Sequence, residues 1–357
     1  MTLSLNYTYD LKGFSMSIEP TLMRQEIKEI PTAVQRLLDE GHASVSQAAK
    51  DARAFDPKYL LSVARGSSDH AATYLKYASE LLLSKPMASV GPSVSSIYGV
   101  SLNAPEALCI SISQSGQSPD IVRMTEALGQ GGTMTVALTN DDQSRLAQVA
   151  KTTLPIYAGP ELSVAATKTF VTSLVAGLWL LAEIKGDQDL IKAIHALPSH
   201  LDKATRCDWS SAAAAIDGRS LFTLGRGPSW AISNEAALKF KETCLIHAES
   251  YSSAEVMHGP MSIVSDGFPV IAFAAADEAE ISLAETVDAL AQKGAKAFAV
   301  TDRVRTATSL PHTRTDHWLT DPISAIVSFY SMVETVALAR GINPDTPRHL
   351  NKVTETV

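Results

Sequence analysis

Two stretches of the chain concentrate groups able to do chemistry. The first is Ser113-Gln114-Ser115-Gly116-Gln117-Ser118, at the end of an apolar run over residues 107–112. Five of these six side chains are hydroxyls or amides, and residues 111–120 contain no Lys or Arg. A turn of this kind, running into a helix at Pro119, suits an anion. A helix start carries roughly half a positive charge and unsatisfied N–H groups, and the hydroxyls add donors. Gly116 would let the backbone approach the ligand closely. A plain helix cap explains Ser118 ahead of Pro119, but not the whole set. Ser67 and Ser68, in the turn Arg65-Gly66-Ser67-Ser68, occupy the same kind of position. Neither G-x-x-x-x-G-K-[ST] nor G-x-G-x-x-G follows these strands, so a compact phosphate on a small molecule fits better than a nucleotide.

The second stretch, residues 233–260, holds the ionisable groups. Glu235, Lys239 and Glu242 stand four and three residues apart and share one face of a helix. A solvated salt-bridge stripe has the same spacing. Here Ala236, Ala237, Leu238 and Phe240 surround it, and the helix begins at a strand-end turn that brings it near a crevice. His258-Gly259-Pro260 pins a loop histidine. His247-Ala248-Glu249 matches the H-x-E of zinc-dependent base deaminases, but no P-C-x-x-C follows. No metal and no cofactor are expected, and His247 and Glu249 read as structural. The polar, proline-interrupted end, with Arg348 and Lys352, reads from its residues alone as a frayed tail.

These groups need a scaffold, and the apolar pattern supplies one. Residues 21–50 read as helices broken at Pro31. Strands are expected over 59–64, 107–113, 133–138 and 153–157, with a helix after 66 that turns Ala72, Leu75, Ala78 and Leu82 to one side and another over 119–129. The pattern recurs with strands at 220–224, 268–275 and 295–301 and a helix over 231–244. Arg65-Gly66-x-Ser68 aligns with Arg226-Gly227-x-Ser229, 161 residues apart (226 − 65). Strands alternating with helices imply right-handed crossovers and parallel sheets. The expected fold class is α/β: two tandem copies, each a parallel sheet flanked by helices. The expected organisation is an N-terminal helical segment over 1–45, a first copy over 46–190, a linker over 191–219 containing Pro198, a second copy over 220–340 and a tail over 341–357. At the place of the polar turn, the second copy has Phe273-Ala-Ala-Ala-Asp277. One copy kept the hydroxyls and the other lost them, which marks them as functional.

Bulk properties narrow the class. With 357 residues, 45% hydrophobic and 19% charged, the chain is a globular protein too long for one ordinary core. A net charge of −8 and a pI near 5.6 argue against a nucleic-acid surface. Cys109, Cys207 and Cys244 form no C-x-x-C pair, consistent with a reducing compartment. The N-terminus lacks the pattern of a secretory signal. The apolar stretch 170–184 is shorter than the ~20 residues of a membrane span. A cytoplasmic protein without membrane or nucleic-acid partners is expected.

With these motifs assembled, the chain resembles tandem sugar-isomerase (SIS) domain proteins: the isomerase half of glucosamine-6-phosphate synthase and the related deaminases. The resemblance runs from about Met23 and rests on Arg65-Gly-Ser-Ser68, Ser113-Gln-Ser-Gly116, Val164-Ala-Ala-Thr-Lys168, Glu235-Ala-Ala-Leu-Lys239-x-x-Glu242, Glu255-x-x-His258-Gly-Pro260 and Pro347-Arg-x-Leu-x-Lys352. It implies that Ser67, Ser68, Ser113, Gln114, Ser115 and Ser118 hold a sugar phosphate and that Val164 and Ala166 line the sugar. It implies that Glu242 moves a proton between C1 and C2, supported by Glu235 and Lys239. His258 would open the ring, reaching into a neighbouring subunit of a homodimer, and Lys352 would close the site from the tail. The synthases read Val-Ala-Ser-Thr-Lys, so Ala166 lacks a hydroxyl found there. No catalytic Cys follows Met1 and only about 20 residues precede the match, so no glutaminase domain is expected. The implied substrate is an amino-sugar phosphate and the implied reaction is deamination of glucosamine 6-phosphate. A fructosamine-6-phosphate deglycase, an aldose–ketose isomerase and a non-enzymatic phosphosugar-binding regulator remain as alternatives.

Overall fold

The computed structural model describes residues 20–350 and Lys352; the parts of the expected N-terminal segment at 1–19 and of the tail at 351 and 353–357 lie outside the described residues. The chain enters through α1 (Leu22–Glu40) and α2 (His42–Phe55). Thr21 caps α1, its hydroxyl accepting from the Arg24 N–H at 3.0 Å. Pro31 lies inside α1 and does not break it, contrary to the sequence expectation. A mid-helix proline costs about 3 kcal/mol. Met23, Ile27, Ile30, Val34 and Leu37, spaced four and three, are all buried, and at about 1.5–3 kcal/mol each their burial outweighs that loss.

The first repeat comprises β1 (Tyr59–Val63), α3 (Ser67–Leu83), β2 (Met87–Ser89), α4 (Ser93–Ser96), β3 (Ala107–Ile112), α5 (Pro119–Gln130), β4 (Met134–Thr139), α6 (Arg145–Val149), β5 (Thr152–Pro155) and α7 (Lys168–Lys185). Helices α8 (Gln188–Ala204) and α9 (Ser210–Ala215) lead into the second repeat. It contains β6 (Ser220–Gly225), α10 (Pro228–Cys244), β7 (His247–Ser252), β8 (Pro269–Phe273), α11 (Glu280–Gln292), β9 (Lys296–Val300), β10 (Thr308–Ser309) and α12 (Asp321–Ala339). The sheets run β2-β1-β3-β4-β5 and β7-β6-β8-β9-β10, with every pairing parallel. Both orders are the same, and each reverses direction between its first and third strands, where ligands bind in open α/β sheets. The strands β2, β7 and β10, absent from the sequence reading, are short or polar edge strands; β7 carries His247, Glu249 and Tyr251.

The repeat extends to backbone detail. Both ends of α10 lie 161 residues beyond those of α3 (228 − 67 and 244 − 83). The residue before each helix is a glycine with nearly the same torsions, φ 56° and ψ −134° at Gly66, φ 55° and ψ −135° at Gly227. That region is open essentially only to glycine. The helices end alike, in left-handed Ser84 and Leu245, both at φ 54°.

The segment read as a linker is not extended chain. Most of 191–219 is helix: Pro198 sits inside α8, where Leu190, Ile194, Leu197 and Leu201 bury one face, and residues 210–215 form α9. The two repeats also share their main core, rather than holding one each. α3 packs on α10 and α7, and α12 packs on α10 and α8, so one continuous apolar cluster runs from α1 to α12. Only the outer faces of the sheets keep separate, smaller clusters. α7 is buried as expected. Among the described helices one, α12, which the sequence reading did not single out, is long and apolar enough to cross a membrane, yet its apolar length is spent in this core.

A methyl group added at Gly66 or Gly227 meets nothing within 4 Å, so Gly66→Ala and Gly227→Ala test backbone strain alone. Each is expected to cost about 1–3 kcal/mol, with similar losses in urea unfolding; a free substitution at either glycine would refute the shared geometry.

Candidate functional site

The ends of β1 and β3 open onto a crevice of about 360 Å³, within the ~300–1,000 Å³ usual for small-molecule sites. Ser67, Ser68, Ser113, Gln114, Ser115 and Ser118 all line it, as do Val164, Ala166, Glu242 and Lys352. The hydroxyls are not equivalent. Ser113 Oγ accepts from the Gly116 N–H at 3.2 Å and Ser115 Oγ from the Gln117 N–H at 3.3 Å, so both also shape the turn. Ser118 makes no side-chain cap to α5, which leaves its hydroxyl to the crevice rather than to the helix. Gly116 serves packing rather than ligand approach: at φ +61°, a Cβ there would lie 2.1 Å from Ser144 Oγ. Arg65 reaches across to α5, its Nε donating to the buried Asp120 at 3.0 Å, and ties the two turns together.

Behind this cradle lies a buried charge network, not a solvated stripe. Lys239 is fully buried and donates to Glu242 at 2.7 Å and to Ser67 Oγ at 3.0 Å, and it stands 3.0 Å from Glu235. Ser67 in turn donates to Glu235 at 3.0 Å. His70 Nδ1 lies 2.9 Å from the other oxygen of Glu235, and the Tyr330 hydroxyl donates to Glu235 at 3.3 Å. Burial works to raise the Glu235 pKa, but the Lys239 charge and His70 outweigh it and hold the carboxyl below its usual range. Burial likewise opposes the Lys239 charge, and Glu235 and Glu242 more than compensate, so its pKa is raised. Glu242 keeps 22% of its side chain exposed. Lys239 holds its Oε2, and among the described residues its Oε1 has no hydrogen-bond partner. It is the member of the network that faces the crevice. Glu235 and Lys239 do not line it.

Two participants escaped the sequence reading. Glu161 lines the crevice and accepts from the Thr167 and Thr169 N–H groups at 3.0 and 3.1 Å and from Thr169 Oγ1 at 2.7 Å. Lys352 Nζ donates to Glu161 at 2.9 Å and to the Ser163 carbonyl at 2.7 Å. Burial pushes the Glu161 pKa up, and Lys352 with the Thr167 N–H and the Thr169 hydroxyl brings it below the usual range. The tail is therefore docked. Asp345 secures it further: its carboxylate accepts from the Leu22 and Met23 N–H groups, both at 2.8 Å, and its carbonyl accepts from the Val164 N–H at 3.2 Å. The second is His70. Only the three-dimensional meeting of α3 with α10 brings it to Glu235; no spacing announces it. His258 stands apart, exposed on the short 3₁₀ turn Glu255–His258 and outside the crevice of its own chain. Among the described residues no cluster of His, Cys, Asp and Glu is arranged to hold a metal ion.

A doubled sheet of this order, with a hydroxyl cradle at one switch point, matches a known family model. The SIS domain matches residues 55–183 and 216–340, and the chain belongs to the SIS domain family. Among curated relatives, the glutamine–fructose-6-phosphate aminotransferase (isomerizing) of Sulfolobus acidocaldarius is 28% identical over 96% of this chain; the chain spans 58% of that protein. A solved structure from Silicibacter pomeroyi, described as a "putative phosphosugar isomerase", is 60% identical, covers 91% of this chain and all of its own, and superposes with a TM-score of 0.89. The fold is shared with glucosamine-6-phosphate deaminase from Thermotoga maritima, 21% identical over 94% of this chain and all of its own, with a TM-score of 0.75.

The buried network sets a stability test. Lys239→Met leaves two carboxylates without their cation and is expected to cost about 3–5 kcal/mol at pH 7. In the wild type, the lowered Glu235 pKa contributes stability above its ordinary value of 4.5, and that is lost as pH falls through the folded value. In the variant, burial acts unopposed by Lys239, so ionised Glu235 costs stability above 4.5 and protonation relieves it. The deficit, read from denaturant unfolding, is thus expected to shrink between pH 7 and 4.5; a deficit independent of pH would refute the network.

Proposed function

We propose that the chain is a phosphosugar enzyme that converts glucosamine 6-phosphate and water to fructose 6-phosphate and ammonia. Membership of the SIS family and the descriptions of its relatives support the phosphosugar class. The observation that carries the reading is Glu242: a carboxylate with one oxygen fixed by a buried lysine and the other free, in the same crevice as an uncharged anion cradle. The serines and Gln114 bind the phosphate. Glu161 and Glu242 give the same crevice a carboxylate character that suits an ammonium-bearing sugar.

In the proposed reaction the C1–O5 bond breaks as O5 takes a proton and O1 gives one up, with His258 serving both transfers. Glu242 removes the proton from C2 and returns it to C1, while O1 takes up the proton that the nitrogen loses, so the unsaturation moves from the C1–O1 bond to the C2–N bond. Water adds at C2, ammonia leaves, and the ketose remains. A carboxylate suits the shuttle because its conjugate acid can return the proton to the adjacent carbon. Lys352, docked on Glu161, closes the crevice beside the sugar carbonyl. Because His258 lies away from the crevice of its own chain, it acts in the site of a second copy within a homodimer; the exposed Met257 and Ile263 flank it. One observation favours the deglycase alternative: Ala166 puts a methyl where a synthase has a hydroxyl, an apolar wall that suits a substituent on nitrogen.

Incubation with glucosamine 6-phosphate is expected to release equal amounts of ammonia and fructose 6-phosphate. Ketose formation without ammonia would instead assign a simple isomerase, and turnover only of glycated amine phosphates a deglycase. Glu242→Gln is expected to lower kcat by about 10²–10⁴-fold while still binding the sugar phosphate. Mixing the inactive Glu242→Gln and His258→Asn proteins tests the shared site. Each mixed dimer then has one intact site, and about a quarter of wild-type activity should return. No recovery would place His258 in its own chain's reaction or outside it.

A further inference from the structure

The duplication carries a second crevice, of about 580 Å³, at the switch point of the second sheet. An offset of 161 residues relates part of its lining to the first crevice: Arg226, Gly227, Pro228, Ala279 and Leu81 answer to Arg65, Gly66, Ser67, Ser118 and Glu242. Ser113, Gln114 and Ser115 become Ala274, Ala275 and Ala276, and Glu242 on α10 corresponds to Leu81 on α3. The same offset takes His258 to Ile97. Beyond the shared Arg-Gly pair, a polar or reactive side chain has an apolar counterpart at each of these places. Tyr77, Leu81, Trp230 and Trp318 make the apolar walls, and Asp277, Glu278, Glu255 and Arg226 are its charged lining.

The loop that corresponds to the His258 loop matches this crevice in character. Ile97, Tyr98 and Val100 are 64%, 74% and 49% exposed, and Leu81 inside the second crevice is 55% exposed. Residues 93–103 carry no charge, so the three carboxylates Glu255, Asp277 and Glu278 repel nothing there, and the Tyr98 phenol is a donor for any of them. Trp230, whose Nε1 is buried without an acceptor among the described residues, lines the same crevice.

We propose that residues 97–100 of a second copy of this chain occupy the second crevice. The inference rests on the homodimer of the proposed function. The repeats share one strand order and meet through their equivalent helices α3 and α10, as a two-fold relation between them would require. If the dimer axis is perpendicular to it, a contact of the His258 loop with one partner crevice requires an equivalent contact of the Ile97 loop with the other. One pair of crevices then does chemistry and the other pair holds the dimer together.

The test places single cysteines at Leu81 and Ile97 in separate proteins. Cys207 is changed to Ser in both, since Cys109 and Cys244 are buried. Mixing Leu81→Cys with Ile97→Cys and adding a short bis-maleimide is expected to give a covalent dimer that neither protein forms alone. Ile97→Asp is expected to weaken dimerisation by about tenfold or more in sedimentation analysis, with unchanged urea unfolding of the separated chain. A wild-type dimer that yields no cross-link, and whose affinity Ile97→Asp leaves unchanged, would overturn this inference and leave the dimer standing. A monomeric wild type would overturn both.

Discussion

Lys239 carries its charge in the layer where the two repeats meet, with Glu235 and Glu242 a turn away on its own helix and Ser67 facing it from the other repeat. A cation without access to water is tolerable only while its partners stay in place. The demand therefore falls on the packing of α3 against α10. Ser67 opens α3, and its hydroxyl both accepts from Lys239 and donates to Glu235, so a slide of one helix along the other would break two hydrogen bonds at once. The register that satisfies the buried charge is also the one that holds Glu242 opposite the serine turns. Stability and the geometry of the candidate site are a single constraint.

Duplication explains how such a junction arises. Two copies with the same strand order and the same glycine-led first helix meet through those helices, so α3 and α10 face each other as equivalents. Equivalence of backbone leaves the side chains free to diverge. The first repeat supplies the hydroxyls and Glu161, the second supplies Glu235, Glu242 and Lys239, and a site complete in neither forms between them. The continuous core follows from the same arrangement, because the helical layer that each repeat would expose alone is covered by the other.

The residues that gather at the crevice were more legible in the sequence than the continuity of the fold. The polar turn at 113–118 stood out because hydroxyls and amides at the end of a buried strand have no structural reason to cluster, and the 161-residue offset is visible in Arg-Gly-x-Ser alone. Helix continuity was not legible at Pro31 and Pro198, because proline is a local signal and the faces that override it are buried by partners distant in the chain. Edge strand β7 was hidden by its polar residues. His70 and Glu161 were silent for a related reason: each acquires its role from a partner 165 or 191 positions away. Gly116 was noticed, but for the wrong neighbour; Ser144 rather than a ligand fills the space a side chain would need.

The crevice also separates two tasks that a single residue type would confuse. A phosphate is commonly gripped by lysine, yet the cations lining or backing this crevice are already engaged: Lys239 by two carboxylates, Lys352 by Glu161 and Arg65 by Asp120. A free lysine in the cradle would be drawn to the open oxygen of Glu242 and would hold it ionised and occupied. Hydroxyls, an amide and the start of a helix bind an anion without that competition, since their dipoles cannot neutralise a carboxylate. In the proposed reaction the absence of Lys and Arg from residues 111–120 is then a condition for the chemistry nearby. It would let a negatively charged ligand and an unpaired carboxylate oxygen share one small space.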